Sequence, residues 1–446
     1  EFGVKKGKIF LFQVRPIVIK NKIIFNKEEF KNALFKLKNK IIKLKKRNHN
    51  LFGKTSYFGV MPDWNPAEMI GLKPKPLSLS LYKELITDHI WSIQRKNYGY
   101  RDLTSHHLLF NFLGKPFVDL RVDFNSWVPN KLDKVLGEKL VNFYLKKFKK
   151  NLHLHDKIEF DILFTCFTFS TDKRLKELEK NFNKKEIKSI RKELKEITTN
   201  SILKLDIEKN KLKNLEKNYK KIINSDLYII DKIYWLIEDC KKNGTEVFAG
   251  AARCGFVAMD ILNSMHKINI ITKSEKNRFL NSIETISSKI SKDFNLLNKK
   301  KFINLHGHLR PDTYEITSDT YRDAYEKYFT KIKKIKKNKK KKFSFSNFSK
   351  KIILQNLNKN KLPIKIDKLL LFIKEAIIFR EFSKYVFTKN VSTILDYLKL
   401  IAKRNNISAE KISYIDIQTI INLHSNLSDD NIGEMLKNEA KNNFEK

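Results

Sequence analysis

Glycine is the first shortage: 13 among 446 residues, and none in a Gly-rich loop able to cradle phosphates, so neither a P-loop nor a dinucleotide fingerprint is available to this chain. Cysteine is scarcer. Cys166, Cys240 and Cys254 are odd in number, far apart and without metal-ligand spacing, which excludes a disulfide framework or zinc ribbon and fits a reduced, cytoplasmic setting. No uninterrupted apolar run approaches the roughly 18 residues of a transmembrane helix, so membrane insertion is not expected. No charged–apolar–small leader opens the chain either. Arginine is sparse too, 13 against 78 lysines.

What is present is positive charge, a formal +42 with a pI near 9.8. Taken alone it suggests a polyanionic partner. The charge is nearly all lysine, however, and it comes with abundant Asn, Ile and Phe, the mixture that A+T-rich codons produce. Base readout and bidentate phosphate recognition favour arginine, so no specific nucleic-acid role is expected, only salt-sensitive adhesion to polyanions. A hydrophobic fraction of 41% and an aromatic fraction of 12% supply a sizeable core, and the length suits two to four domains. The pattern as a whole reads as an α+β chain, mostly helical.

Strict alternation in KGKIFLFQVRPI puts Ile9, Leu11, Gln13 and Arg15 on one strand face, and a hairpin with EFGV brings Glu1 beside Gln13. A carboxylate, an amide and a guanidinium on one face suit Mg²⁺ and nucleotide phosphates; an ordinary surface hairpin explains the same residues. Residues 21–60 read as a helical connector with Phe30, Leu34, Leu37, Ile41 and Leu44 on one face. Residues 61–330 follow as a mixed central domain, with strands expected at 117–122 and 158–169. Within it, residues 173–225 carry two runs of three-four-three spacing that predict an antiparallel helical hairpin. A basic linker at 331–345 and a helical segment at 346–446 complete the chain.

Five segments of the central domain, and one beyond it, concentrate chemistry. In MPDWNPAEMIG, Asp63 or Asn65 is placed to cap a helix that has Pro66 near its first position. In GKPFVDLRVDFNSWVP, period-two alternation puts Asp119 and Arg121 on one strand face with Asp123 continuing it and Asn125 in the following turn. These residues read either as a buried structural pair or as a wall where Arg121 holds a carboxylate or phosphate and Asn125 a polar group. In HLHDKIEFD the same alternation aligns Glu159 with Asp161, while His153 and His155 lack a complete ligand set for a metal. TEVFAGAARCGFVAMDIL predicts an amphipathic helix burying Ala249, Ala252, Phe256 and Met259, with Arg253 off that stripe. His306, His308 and Arg310 fall in a loop before Pro311. On REFSK, Arg380 and Lys384 lie one helical turn apart, as solvated residues or as a pair facing an anionic group.

The spacing E-x11-Q-x-R-P resembles the end of the ATP-grasp domain in phosphoenolpyruvate synthase and pyruvate phosphate dikinase. MPDWNPAEMIG, PLSLSLYKELITDHIW and GKPFVDLRVDFNSWVP resemble the middle region of phosphoenolpyruvate-synthase-like proteins of surface-polysaccharide biosynthesis, including L-glutamine kinase-like phosphotransferases. LHGHLRPDTYEI looks like a segment shared with rifampin phosphotransferases, with Asp312 where relatives often have Gly. The resemblance implies that residues 1–20 end an ATP-grasp domain, with Glu1 as a Mg²⁺ ligand and Gln13 and Arg15 touching ATP. It implies an acceptor site in the central region, with Asp119, Asn125, Glu159 and Asp161 binding the acceptor and Arg121, Arg253, Arg310 and His308 carrying the chemistry. No Gly-Gly-x-x-Ser-His segment occurs. The phosphohistidine domain and the body of the ATP domain are therefore expected outside this chain, which by itself is expected to be an inactive fragment. The acceptor implied is a small polar metabolite such as the amide of L-glutamine, with pyruvate as the alternative.

Overall fold

Helices dominate the protein, and its strands are short. The computed structural model describes residues 2–5, 7–11, 26–329, 343–425 and 432–445, in two units, Glu1–Leu44 and Lys45–Lys446. In the first unit β1 (Phe2–Lys5) pairs antiparallel with β2 (Lys8–Leu11), Phe2 opposite Leu11, and Gly7 takes the left-handed turn position at φ 74°. Glu1, Gln13 and Arg15 lie outside the described residues. Helix α1 (Lys27–Lys45) carries Glu28 and Glu29 in its first turn and has no fully buried residue.

In the second unit, β3 (Phe58–Gly59), β4 (Leu109–Phe112) and β5 (Lys115–Asp119) form an antiparallel sheet with β5 central. Three short helices, α2 (Pro66–Met69), α3 (Pro76–Tyr82) and α4 (Ile90–Asn97), run between β3 and β4. The strand expected at 117–122 stops at Asp119. Its carboxylate accepts hydrogen bonds from the N–H groups of Arg121 at 2.9 Å and Val122 at 3.2 Å, capping α5 (Leu120–Ser126). Asp119 and Arg121 thus sit at a helix start rather than on one strand face. The strand expected at 158–169 is absent as well. After α6 (Lys134–Lys150), residues Ile158–Ile162 make a π-helical turn, and the stretch from Leu163 to α7 (Thr171–Leu175) runs without strand pairing. Glu159 and Asp161 consequently lose their common face: Glu159 turns inward and Asp161 is exposed.

The helical hairpin expected at 173–225 is one helix, α8 (Lys184–Ile223), of 40 residues. Ile190, Leu194, Ile197, Ser201, Leu205, Glu208, Leu212 and Leu215 are buried along it, an unbroken helical stripe with no glycine or proline to turn the chain. Thr199 and Ser201, the polar residues at its middle, donate to carbonyls one turn back, Lys195 O at 3.0 Å and Ile197 O at 2.8 Å. A reciprocal Asn183–Glu186 capping box fixes the start.

Helix α8 packs with α9 (Ile229–Asp239), α10 (Glu246–Lys267) and α16 (Ile366–Arg404). Between α10 and α16 the chain forms α11 (Lys273–Ser282), α12 (Ile286–Leu296), α13 (Lys299–His306), α14 (Tyr325–Phe329) and α15 (Asn347–Lys359). Helices α17 (Ala409–Ile412), α18 (Ile417–Leu423) and α19 (Ile432–Glu445) follow. The most extensive contact is α10 on α16. Gly255 fits it closely, since a Cβ there would stand 3.2 Å from Arg380 Cδ. The α10 stripe is rotated from its expected phase: Ala251, Cys254, Ala258, Ile261 and Met265 are buried, whereas Ala252, Phe256 and Met259 are half-buried.

Inside this bundle Glu208 accepts a hydrogen bond from Tyr98 Oη at 3.2 Å, leaving its second oxygen without a partner. Burial raises its pKa from 4.5 to about 7. Folding therefore carries no penalty from this group below about pH 4.5, a growing one as pH rises to 7, and a constant one above. Glu208→Gln should be more stable than the native chain by up to about 3 kcal/mol at pH 8, with the advantage vanishing near pH 4.5. Urea unfolding of both proteins across that range measures this; an advantage independent of pH would contradict it.

Candidate functional site

Six segments between residues 61 and 384 enclose one cavity of about 350 Å³ within the second unit. Its first wall is the Met61–Met69 turn. Trp64 and Asn65 both have positive φ, 67° and 34°, a conformation that costs a bulky residue on the order of 1 kcal/mol or more. Asn65 caps α2 by accepting from Glu68 N, Pro66 takes the first helical position, and Tyr82 Oη holds Trp64 O at 2.9 Å. The capping role anticipated for Asp63 or Asn65 thus falls to Asn65. Asp63 is freed to face inward.

The floor is built on Trp127, just past the end of α5. The guanidinium of Arg95, from α4, lies 3.2 Å from the centre of one of its rings, and that of Arg253, from α10, lies 4.9 Å away. Arg95 donates to Asp63 Oδ2 at 2.7 Å. Arg253 donates to Glu159, presented by the π-helical turn, and to Thr165 Oγ1 at 3.3 Å. The indole N–H of Trp127 donates to Asp123 Oδ1 at 2.9 Å. Two cations and three carboxyl groups therefore surround one aromatic plate. Both arginines are at most 4% exposed and Asp123 is fully buried.

Burial sets the protonation of this cluster. It pushes the Asp123 carboxyl well above the usual carboxylate range, and the nearby Asp63 charge adds to the effect. Asp63 and Glu159 are raised by burial as well, with Arg95 and Arg253 opposing the rise. Burial works against the charge of Arg253, but Tyr100 and Glu159 outweigh it and hold the guanidinium protonated. The walls are apolar where α10 contributes Phe248, Ala249, Ala252 and Phe256. At the mouth, Arg380 and Lys384 of α16 face Glu68, Asp156 and Lys157.

The residues expected from sequence to form the site separate into two groups. Glu159 and Arg253 line the cavity, as do Asp123, Arg380 and Lys384. Asp119, Arg121, Asn125, Asp161, His308 and Arg310 do not. Asp119 caps α5 and also binds Ser56. Arg121 is buried with Nη1 donating to Lys46 O at 2.8 Å. Asn125 clamps the Phe52 backbone in both directions, at 2.9 and 2.8 Å. Arg310 donates to Ser392 Oγ at 2.9 Å and Asp396 Oδ1 at 3.1 Å. His308 donates to Tyr385 O at 3.3 Å, and burial lowers its pKa to about 4, so it is neutral at pH 7. Sequence reasoning missed Arg95 and the role of Trp127. In a chain with six lysines for each arginine, the arginines themselves were the available signal.

Among the described residues no group of three or more His, Cys, Asp or Glu side chains is arranged to hold a metal ion. No helix among them is long and apolar enough to cross a membrane. Comparison with protein-family models, with curated proteins and with solved structures finds no match for this chain.

The Arg253–Glu159 pair yields a direct test of the floor. Arg253→Met should cost about 3–5 kcal/mol because it strands a buried carboxylate, and adding Glu159→Gln should recover part of that loss. Chemical denaturation of the two single variants and the double variant measures the coupling. Strict additivity would show that the two groups stand independently.

Proposed function

We propose that the cavity is the acceptor-binding site of an ATP-dependent, dikinase-type phosphotransferase of the cytoplasm, acting on a small polar metabolite. The observation that carries this reading is convergence. MPDWNPAEM and DFNSW, from segments that resemble phosphoenolpyruvate-synthase-like proteins, line one cavity together with HDKIEF, FAGAARCGF and REFSK, which the sequence singles out for their charged residues. A structural role alone would not require residues so far apart in sequence to meet around open space, and about 350 Å³ suits a small metabolite.

The charges favour an acceptor that carries both signs. Arg95 and Arg253 are each matched by a carboxylate, and the mouth mixes Arg380, Lys384 and Lys157 with Glu68, Asp156 and Glu381. On the floor, a lone small anion such as pyruvate would find both arginines already paired with Asp63 and Glu159. A zwitterion with a polar side chain, such as L-glutamine, finds a cation for its carboxylate and carboxylates for its ammonium. In this reading the floor arginines hold the acceptor within a wall that excludes water, and Arg380 meets the charge of the incoming phosphoryl group. Arg121 and Arg310, bonded to backbone and to Asp396 respectively, support the scaffold instead. ATP and Mg²⁺ remain assigned to Glu1, Gln13 and Arg15 by the resemblance alone, and the phosphohistidine to a separate domain.

Titration calorimetry of this chain with L-glutamine, with L-glutamate and with pyruvate tests the acceptor. L-glutamine should bind most tightly, and Arg95→Gln should weaken it by about tenfold or more, the equivalent of about 1.4 kcal/mol. Tighter binding of pyruvate would transfer the reading to a phosphoenolpyruvate-forming enzyme. For the chemistry, phosphorus NMR of the chain combined with its ATP and histidine domains should show AMP and a P–N product only when L-glutamine is present.

A further inference from the structure

Several half-buried lysines elsewhere in the protein find a carboxylate. Lys241 is bonded at 2.7 Å to both Glu84 and Glu238, Lys147 to Glu177 at 2.8 Å, and Lys75 to Glu410 at 2.8 Å. Lys384 is different. It is half-buried at the cavity mouth, and its polar contact is the thioether of Met69, with Nζ 3.8 Å from Sδ. Arg380, one turn earlier on α16, makes no ion pair among the described residues either; its guanidinium lies over Phe256 at 5.2 Å. Gly255 eases this placement, since a Cβ there would stand 3.2 Å from Arg380 Cδ and 3.5 Å from its Cβ. The charged groups around Lys384 are Glu68 from α2 and Glu381 and Arg380 from α16.

We propose that Lys384 is a carbonyl-reactive amine, forming an imine with a small aldehyde or oxo compound that bears a carboxylate, with Arg380 holding the carboxylate. This goes beyond the acceptor reading and does not depend on it. The chemistry requires three things that this corner supplies. The first is a free amine. Burial and then the neighbouring Arg380 charge favour the neutral form of Lys384, with Glu381 and Glu68 opposing only in part. The second is shelter from bulk water, given by Met69, Phe160 and Phe256. The third is an orienting cation on the same side of the helix, given by the four-residue spacing of Arg380 and Lys384.

The step balances without any other reactant. The Nζ lone pair attacks the carbonyl carbon to give a carbinolamine. The carbinolamine loses its oxygen as water, both of whose hydrogens come in sum from the amine, and a C=N bond remains. Glu68 and Glu381 line the same mouth and are placed to relay the proton that the departing oxygen takes up.

The probe is glyoxylate, a two-carbon aldehyde with a carboxylate, supplied with sodium cyanoborohydride. Hydride from the reagent reduces the imine carbon and a solvent proton completes the nitrogen, leaving a stable carboxymethyl-lysine that peptide mass spectrometry locates. At pH 7, Lys384 should be labelled about tenfold or more faster than Lys374, which is exposed on the same helix. With propionaldehyde, which has no carboxylate, the preference should fall by about threefold or more, and Arg380→Gln should bring the glyoxylate preference down to that level. Lys384→Arg should remove the label while leaving the unfolding midpoint within about 0.5 kcal/mol of native. Equal labelling of Lys384 and Lys374 in the native protein would overturn the proposal, and so would a glyoxylate preference that Arg380→Gln leaves unchanged. L-glutamine binding, measured separately on the unlabelled chain, shows whether the acceptor reading stands or falls on its own.

Discussion

One indole ring organises the centre of this protein. Trp127 receives Arg95 and Arg253 on its surface and hands its own N–H to Asp123. Neither guanidinium could be buried to this depth on charge pairing alone, because withdrawing an ion from water costs several kcal/mol that a single carboxylate does not reliably return. The aromatic plate adds a favourable surface for both cations, and Asp63 and Glu159 complete the compensation. Helix α5, the Met61–Met69 turn, the π-helical turn and α10 must each arrive in register for that to occur. The cavity is what remains between them.

The elements themselves were unevenly legible. Helix α10 was expected from its amphipathic pattern, and a cap at Asp63 or Asn65 from the residues before Pro66, because both depend on neighbours within a turn or two. The errors have a common form. Period two in VDLRVD suggested a strand, but the Asp119 side chain satisfies two backbone N–H groups and starts a helix there, so a local cap overrode a longer pattern. In the same way, the two apolar runs of α8 read as two helices because nothing in either run specifies a partner. Only burial against α10 and α16 shows that they share one stripe.

The site was partly legible. Arg253, Glu159, Asp123, Arg380 and Lys384 were singled out from sequence and line the cavity, yet nothing in their spacing said that they meet. Arg121, Asn125 and Arg310 carry the same chemistry and went instead to the scaffold, where each satisfies backbone carbonyls or a nearby carboxylate. Residue type announces the capacity to bind an anion or an amide. Whether that capacity is spent within the protein is a property of the fold.

The three cysteines end up with a use that their scattered positions did not suggest. All are buried and unpaired, and burial pushes the Cys166 and Cys254 thiols up to about 12, far from the thiolate form that alkylating reagents need. Cys166 follows the π-helical turn, Cys240 ends α9 and Cys254 sits mid-way along α10. Each thiol is thus a silent reporter in a different element of the same core. The order in which they become modified as the protein is loosened would trace which element opens first, with no label introduced and no residue changed.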